Sequence, residues 1–219
     1  MFSVAQAVAW VRSTAAVLEE HAAELTKLDS AIGDGDHGTN MNRGFKAAVQ
    51  RLDALEGDQD FGSVCRAVGM ALIGKVGGAS GPLYGSLFLG MGKELGGSSP
   101  GGAPGPGEVE DGRLAAALRA GYDSVVARGK AQLEDKTMLD AWHPALEALD
   151  AALDGGKELG EALDEAAAAA EEGMKATIPM VARKGRASYL GERSRDHQDP
   201  GATSSHLLLQ SLADVVNGR

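Results

Sequence analysis

The chain is short of cysteine, of aromatic side chains, of net positive charge and of long apolar runs, and each shortage removes a class of protein. Its single cysteine, Cys65, cannot close an internal disulfide. It lies in the apolar run FGSVCRAVGMAL and reads as a buried structural thiol rather than a nucleophile. No uninterrupted stretch of about twenty apolar residues occurs, which excludes a typical membrane-spanning helix. The N-terminus lacks the basic, apolar and cleavable order of a secretory signal, so a soluble cytoplasmic protein is expected. A net charge of −10 and a pI of about 4.9 disfavour a general grip on nucleic acid or an anionic membrane. Aromatics make up only 4 %, and few segments alternate with the two-residue period of a strand.

What remains is rich in alanine and in helical periodicity. Apolar residues recur every three or four positions in eight segments: about Ser3 to Leu25, Gly38 to Leu55, Phe61 to Lys75, Pro82 to Leu95, Arg113 to Arg128, Thr137 to Leu153, Leu159 to Met174 and Thr203 to Val216. Ser3 suits an N-cap, Pro82 suits the first turn of a helix, and Pro179 stops or kinks the seventh. The expected fold is all-α, eight antiparallel up-and-down helices in one domain covering 1–219. The stretch Gly96 to Gly112, GGSSPGGAPGPGEVEDG, reads as a flexible surface connection. The unusual polar loops follow the first, third, fifth and seventh helices. In an up-and-down arrangement loops of that parity share one end, which pools them into a single composite site.

The first of these loops, LDSAIGDGDHGTN, places Asp29, Asp34 and Asp36 within eight residues, with Gly33, Gly35 and Gly38 interspersed. Like charges this close repel unless a cation lies among them. Mg²⁺ takes oxygen ligands and keeps positions open for phosphate, so one or two such ions are expected, with two favoured, bridging a polyphosphate. The glycines permit the backbone curvature that turns carboxylates inward. Neither register fits the oxygen-ligand spacing of a twelve-residue calcium loop. A structural calcium site and a plain solvated loop remain the alternatives. His37, Gly38, Thr39 and Asn40 open the next helix, where free N–H groups suit phosphate oxygens; alternatively Thr39 or Asn40 simply caps it.

The other loops add weaker signals. GGASG, Gly77 to Gly81, can present amides around Ala79 and Ser80 to a phosphate. No Walker A sequence and no dinucleotide fingerprint occurs. Met138, after Gly129 and the segment DKT, suits the flat face of an adenine or merely fills core. Asp140, three residues beyond Thr137, suits a capping interaction. The stretch RKGRASYLGERSRDHQDPGAT carries Arg183, Lys184, Arg186, Arg193 and Arg195, which reads either as phosphate-neutralising or as a solvated charge run. Asp199-Pro200-Gly201 forms a tight turn into the last helix. The five histidines show no zinc spacing, and Trp142 reads as packing.

Four blocks together resemble a known family. LDSAIGDGDHGTNM, KVGGASGPLYG, DKTMLDAWHPA and ARKGRASYLGERSRDHQDPGATSS occur in the order found in DhaL proteins, the nucleotide-binding L subunits of dihydroxyacetone kinase, which are homologous to the C-terminal domain of single-chain kinases. The resemblance covers essentially the whole chain. It implies an eight-helix antiparallel barrel with nucleotide at one end. It implies that Asp29, Asp34 and Asp36 ligate magnesium, that His37 to Asn40, Ala79, Ser80, Gly129, Met138, Arg186 and Asp199 to Gly201 contact ADP or ATP, and that Arg186 takes a catalytic part. It further implies a phosphotransferase acting on dihydroxyacetone held covalently by a separate DhaK-like subunit. In the phosphotransferase-system version the nucleotide is a resident coenzyme, recharged from phosphoenolpyruvate through a DhaM-like phosphohistidine protein. The alternatives are exchangeable ATP, another acceptor such as erythrulose, and a nucleotide-dependent regulatory partner; a homodimer is compatible with all of them.

Overall fold

The computed structural model describes residues 1–55, 59–96 and 107–219. Nine α-helices run through the described residues: α1 Val4–Glu20, α2 Ala22–Ile32, α3 His37–Asp53, α4 Phe61–Lys75, α5 Ser80–Glu94, α6 Asp111–Gly129, α7 Leu139–Asp154, α8 Leu159–Ala176 and α9 Pro200–Asn217. A two-residue antiparallel ribbon, β1 Phe2–Ser3 with β2 Glu108–Val109, ties the N-terminus to the start of α6. The all-α expectation holds.

Helices α1 and α2 are two halves of one kinked helix. Hydrogen bonding continues through His21, whose N–H donates to Val17 O while its own carbonyl accepts from Leu25 N–H. Ser3 caps α1 in a reciprocal box with Gln6, satisfying two otherwise free N–H groups. The first helical segment therefore ends at Ile32, not Leu25, because beyond Leu25 the chain still buries Asp29 and Ile32 at helical spacing. Asp29 is thus a helical residue rather than a loop residue. The last helix also starts earlier than expected, at Pro200. Asp199 caps it by accepting from Ala202 N–H, and proline occupies the first turn at no cost in hydrogen bonds. Within the basic loop lies a 3₁₀ segment, Arg186–Ser194, kinked at Gly191.

Successive helices pack on one another, and α9 returns to α1, so the order of neighbours closes on itself. One hydrophobic cluster takes in Trp10, Leu25, Phe45, Val68, Phe88, Leu118, Leu146, Leu163 and Leu208, one from each of α1 through α9. Many glycines serve this packing rather than chemistry. A Cβ on Gly38 would sit 2.0 Å from Ala22 O, and one on Gly173 would sit 2.2 Å from Asp140 O. Such backbone-to-backbone approaches explain a glycine content that loops alone do not require.

Of the glycine- and proline-rich connection, positions 97–106 lie outside the described residues, so the expected flexible loop is not described there. Its described flank is ordered: Gly107 O accepts from Val4 N–H, β2 follows, and α6 has begun by Asp111. That flank lies with Phe2, Phe61, Leu95 and Leu114, where α1, α4 and α6 begin and α5 ends. The opposite ends of α4, α5 and α6 meet the polar loops, as does the far end of α2. No helix among the described residues is long and apolar enough to cross a membrane.

Candidate nucleotide and metal site

Four loops separated widely in sequence do converge, around a cavity of about 400 Å³. Asp29, Asp34 and Asp36 line it from the loop after α2, Ala79 and Ser80 from the loop after α4, Gly129 and Met138 from either side of the loop after α6, and Arg186 and Asp199 to Gly201 from the segment after α8. Its wall is also apolar, through Leu83, Val125, Ala131 and Leu139. Helices α3, α5, α7 and α9 all begin here, at His37, Ser80, Leu139 and Pro200. Four helix N-termini at one cavity bring free N–H groups and the positive ends of four macrodipoles toward whatever it holds.

The acidic cluster is built by backbone constraint. Asp29 is only 8 % exposed, and its Oδ2 accepts from the N–H groups of Asp36 (2.8 Å) and His37 (3.1 Å), folding the loop back over the end of α2. Gly33 is required because a Cβ there would fall 2.0 Å from Asp29 Oδ1, and Gly35 because it turns with φ of +73°. As a result one carboxylate oxygen from each of Asp29, Asp34 and Asp36 lies within 4.8 Å of the others. Three hard oxygen donors at that separation fit a magnesium ion sharing its remaining positions with water and phosphate. Arg186 Nε stands 3.0 Å from Asp34 Oδ2 across the mouth, so the guanidinium reaches the place where the carboxylates converge.

His37 is 7 % exposed, and both of its ring nitrogens are engaged. Nδ1 lies 3.1 Å from Ser80 Oγ and Nε2 lies 2.8 Å from Ser204 Oγ. Burial pulls its pKa below the usual histidine value, outweighing the opposite pull of Asp29 and Asp36, so the ring is neutral at pH 7. Behind it Tyr84 OH meets Ser204 Oγ at 2.7 Å and Ser205 Oγ at 2.9 Å, and donates toward Gly201 O at 3.2 Å. Burial pushes the Tyr84 hydroxyl up to about 12, which keeps it protonated and able to donate. This network joins the first turns of α3, α5 and α9. Gly38, Thr39 and Asn40 stand farther along α3, outside the cavity lining. Gly38 packs on α2, while Asn40 accepts from Arg43 at 2.6 Å and lies against Gly77.

The third loop is held open by carboxylates. Asp140 accepts from Glu134 N–H and Thr137 N–H at 2.6 and 2.7 Å, the capping role its spacing suggests; burial raises its pKa. Lys130, Glu134 and Lys136 all carry left-handed φ angles, three of the four such non-glycine residues among the described residues. Concentrated backbone strain of this kind is a mark of a functional loop. Lys136 is 1 % exposed and donates to Ser194 O (2.7 Å), Met180 O (3.0 Å) and Ile178 O (3.4 Å), which fastens the basic segment to this loop. Asp199 is buried and its pKa is pushed up to about 7, chiefly by desolvation. Lys136, Tyr84 and Ser204 were not singled out by sequence reasoning. The available signal was a polar residue inside an otherwise apolar helical pattern, as in GPLYG and GATSS.

Residues 31–214 match the model of the DAK2 domain. The chain is 42 % identical, over 95 % of both sequences, to the PEP-dependent dihydroxyacetone kinase ADP-binding subunit DhaL of Escherichia coli. It is 37 % identical, over 99 % of its own length and all of the relative, to the PTS-dependent dihydroxyacetone kinase ADP-binding subunit DhaL of Lactococcus lactis. Among solved structures it superposes on the dihydroxyacetone kinase from C. freundii in complex with AMP-PNP and Mg²⁺. The TM-score is 0.69 at 25 % identity, covering 98 % of this chain and 35 % of that longer one. The chain belongs to the DAK2-domain family, as a DhaL-type member of a family of kinase subunits.

Proposed function

We propose that this chain binds a magnesium–adenine nucleotide in the cavity and passes its terminal phosphoryl group to dihydroxyacetone carried by a separate DhaK-like subunit. Phosphoenolpyruvate is the ultimate donor, through a DhaM-like phosphohistidine protein, and ADP stays bound as a coenzyme. The observation that carries this reading is the convergence of three carboxylates and four helix N-termini on one cavity. The E. coli and L. lactis relatives, ADP-binding subunits of PEP- and PTS-dependent dihydroxyacetone kinases, suggest the substrate, the nucleotide and the donor class.

In this reading Asp29, Asp34 and Asp36 hold one or two magnesium ions, which when bound neutralise charge on the phosphates. The first-turn amides of α3 and α5 receive phosphate oxygens, with His37, Ala79 and Ser80 lining that side and Gly38, Thr39 and Asn40 supporting the turn from behind it. Neutral His37 donates from one ring nitrogen and is held in place by Ser204. Gly129 and Met138, with Leu83 and Val125, provide a flat apolar slot for adenine. Arg186 reaches the carboxylate cluster and so is placed to stabilise negative charge on the phosphoryl group as it leaves. Asp199, Pro200 and Gly201 line the cavity where α9 begins.

The test is a transfer assay of the purified chain with a DhaK-like subunit loaded with dihydroxyacetone. Phosphoenolpyruvate with the phosphotransferase proteins is compared with ATP as donor. The reading expects turnover with phosphoenolpyruvate and ADP retained through gel filtration. Turnover with ATP alone and rapid loss of ADP would overturn the coenzyme role; no turnover with either donor would overturn the function.

A further inference from the structure

We propose that the rim outside the cavity, centred on Tyr189, is the docking surface for the polypeptide that carries the phosphoryl acceptor, and that the partner meets it with an apolar socket ringed by carboxylates. This inference rests on the two-subunit reading above and adds where and by what chemistry the partner binds.

Tyr189 is 87 % exposed, in a chain with three tyrosines. It does not line the cavity. Its pedestal is firm. Ala187 and Leu190 pack with Ile32 and Ala182, Ala182 N–H donates to Ser194 Oγ at 2.8 Å, and Lys136 holds Ser194 O from below. A tyrosine presented on an anchored turn loses little side-chain entropy on binding, which is why rigid aromatics serve as interface anchors.

The segments that Lys136 joins to this turn carry other exposed apolar side chains. Leu133 and Ile178 are 42 % and 37 % exposed. They belong to the two segments that Lys136 stitches together, since Ile178 O accepts from both Lys136 Nζ and Asp196 N–H. The charge of this rim is opposite to that of the molecule. Between Arg183 and Arg195 the chain carries five cations and one carboxylate, Glu192, within a protein of net charge −10. Arg183 and Arg193 are exposed, lie outside the cavity lining and make no ion pair among the described residues. A solvated charge run would not need an anchored aromatic at its centre. Cations serving the nucleotide alone would point into the cavity, as Lys184 and Arg186 do by lining it. An exposed aromatic anchor with a basic border beside the cavity suits an acidic protein surface, through charge steering and a desolvated aromatic core.

The test uses Tyr189→Ser and Arg193→Glu in the full chain, with a dihydroxyacetone-loaded DhaK-like subunit as the titrated partner. The expected result is a rise of tenfold or more in the KM for the partner in each variant. The kcat at saturating partner, the Kd for Mg-ADP and the thermal midpoint should each stay within twofold or a degree or two of wild type. A partner KM within twofold of wild type in both variants would overturn the proposal. So would a loss of Mg-ADP affinity that parallels the rise in KM, which would place these residues in the nucleotide site. Loss of self-association in sedimentation, with partner KM unchanged, would assign the surface to a second copy of the chain and equally overturn it. Wild type binding Mg-ADP but giving no transfer with the partner would bring down the functional reading and this inference together. Normal wild-type transfer with unaffected variants would bring down this inference alone.

Discussion

At the scale of single residues, the site depends on side chains that never need to touch a ligand. Lys136 illustrates this: its ammonium is buried under three carbonyls, and burial lowers its pKa. Lys136→Met keeps the length of the chain but leaves those carbonyls unpaired, a loss of about 2 kcal/mol. Denaturant unfolding should show that loss, and amide exchange should accelerate over 178–196 before anywhere else. Uniform acceleration would mean that the lysine stabilises the whole fold and not this segment. Asp199 makes a pH-dependent contribution of definite sign. Its folded pKa of about 7 is above the ordinary aspartate value of 3.8, so the folded state holds a proton that the unfolded state has released. Its stabilising effect is complete below about pH 4 and is lost as pH rises through about 7. Asp199→Asn keeps an oxygen to cap α9 and removes the ionisation. The ligand-free variant should therefore lose less stability between pH 4 and 7 than wild type, by up to about 4 kcal/mol. Parallel pH profiles for the two proteins would contradict this assignment.

At the scale of elements, close helix approach at glycine positions is the recurring device. Gly173 lets α8 cross the first turn of α7, where Asp140 holds the loop before it. Gly173→Ala would bring a methyl group to 2.2 Å from Asp140 O, forcing the helices apart at a cost of about 1–3 kcal/mol. Chemical denaturation should show that loss, with weaker nucleotide binding because Met138 and Leu139 move with α7. Unchanged stability would mean that the crossing yields freely. The helices themselves were largely legible in the sequence, since α4 begins and ends at the expected Phe61 and Lys75 and Ser3 does cap α1. The misplaced boundaries have physical reasons. Asp29 looked like loop because three nearby acids and glycines suggest a turn, yet its carboxylate turns back on N–H groups beyond the helix end. The 3₁₀ segment carries no apolar periodicity, and its stability comes from Ser194, Lys136 and Ile32, contacts that no local pattern reveals.

At the scale of the whole molecule, parity does most of the organising. Because successive helices are neighbours and α9 closes on α1, loops after alternate helical segments share an end, and residues as far apart as Asp34 and Arg186 come within ion-pair distance. This much could be read from the order of loops and helices alone. The hydroxyl network through Tyr84, Ser204 and Ser205 could not, because it requires knowing that α5 and α9 begin side by side. The central claim is that the three carboxylates are compatible with one another because magnesium and a nucleotide's phosphates lie among them. Calorimetric titration of ADP, with and without magnesium, into wild type, Asp34→Asn and Asp36→Asn tests it most directly. Tight binding by wild type only with magnesium, lost in both variants, is the predicted result. Equal ADP affinity in all three proteins, indifferent to magnesium, would contradict it.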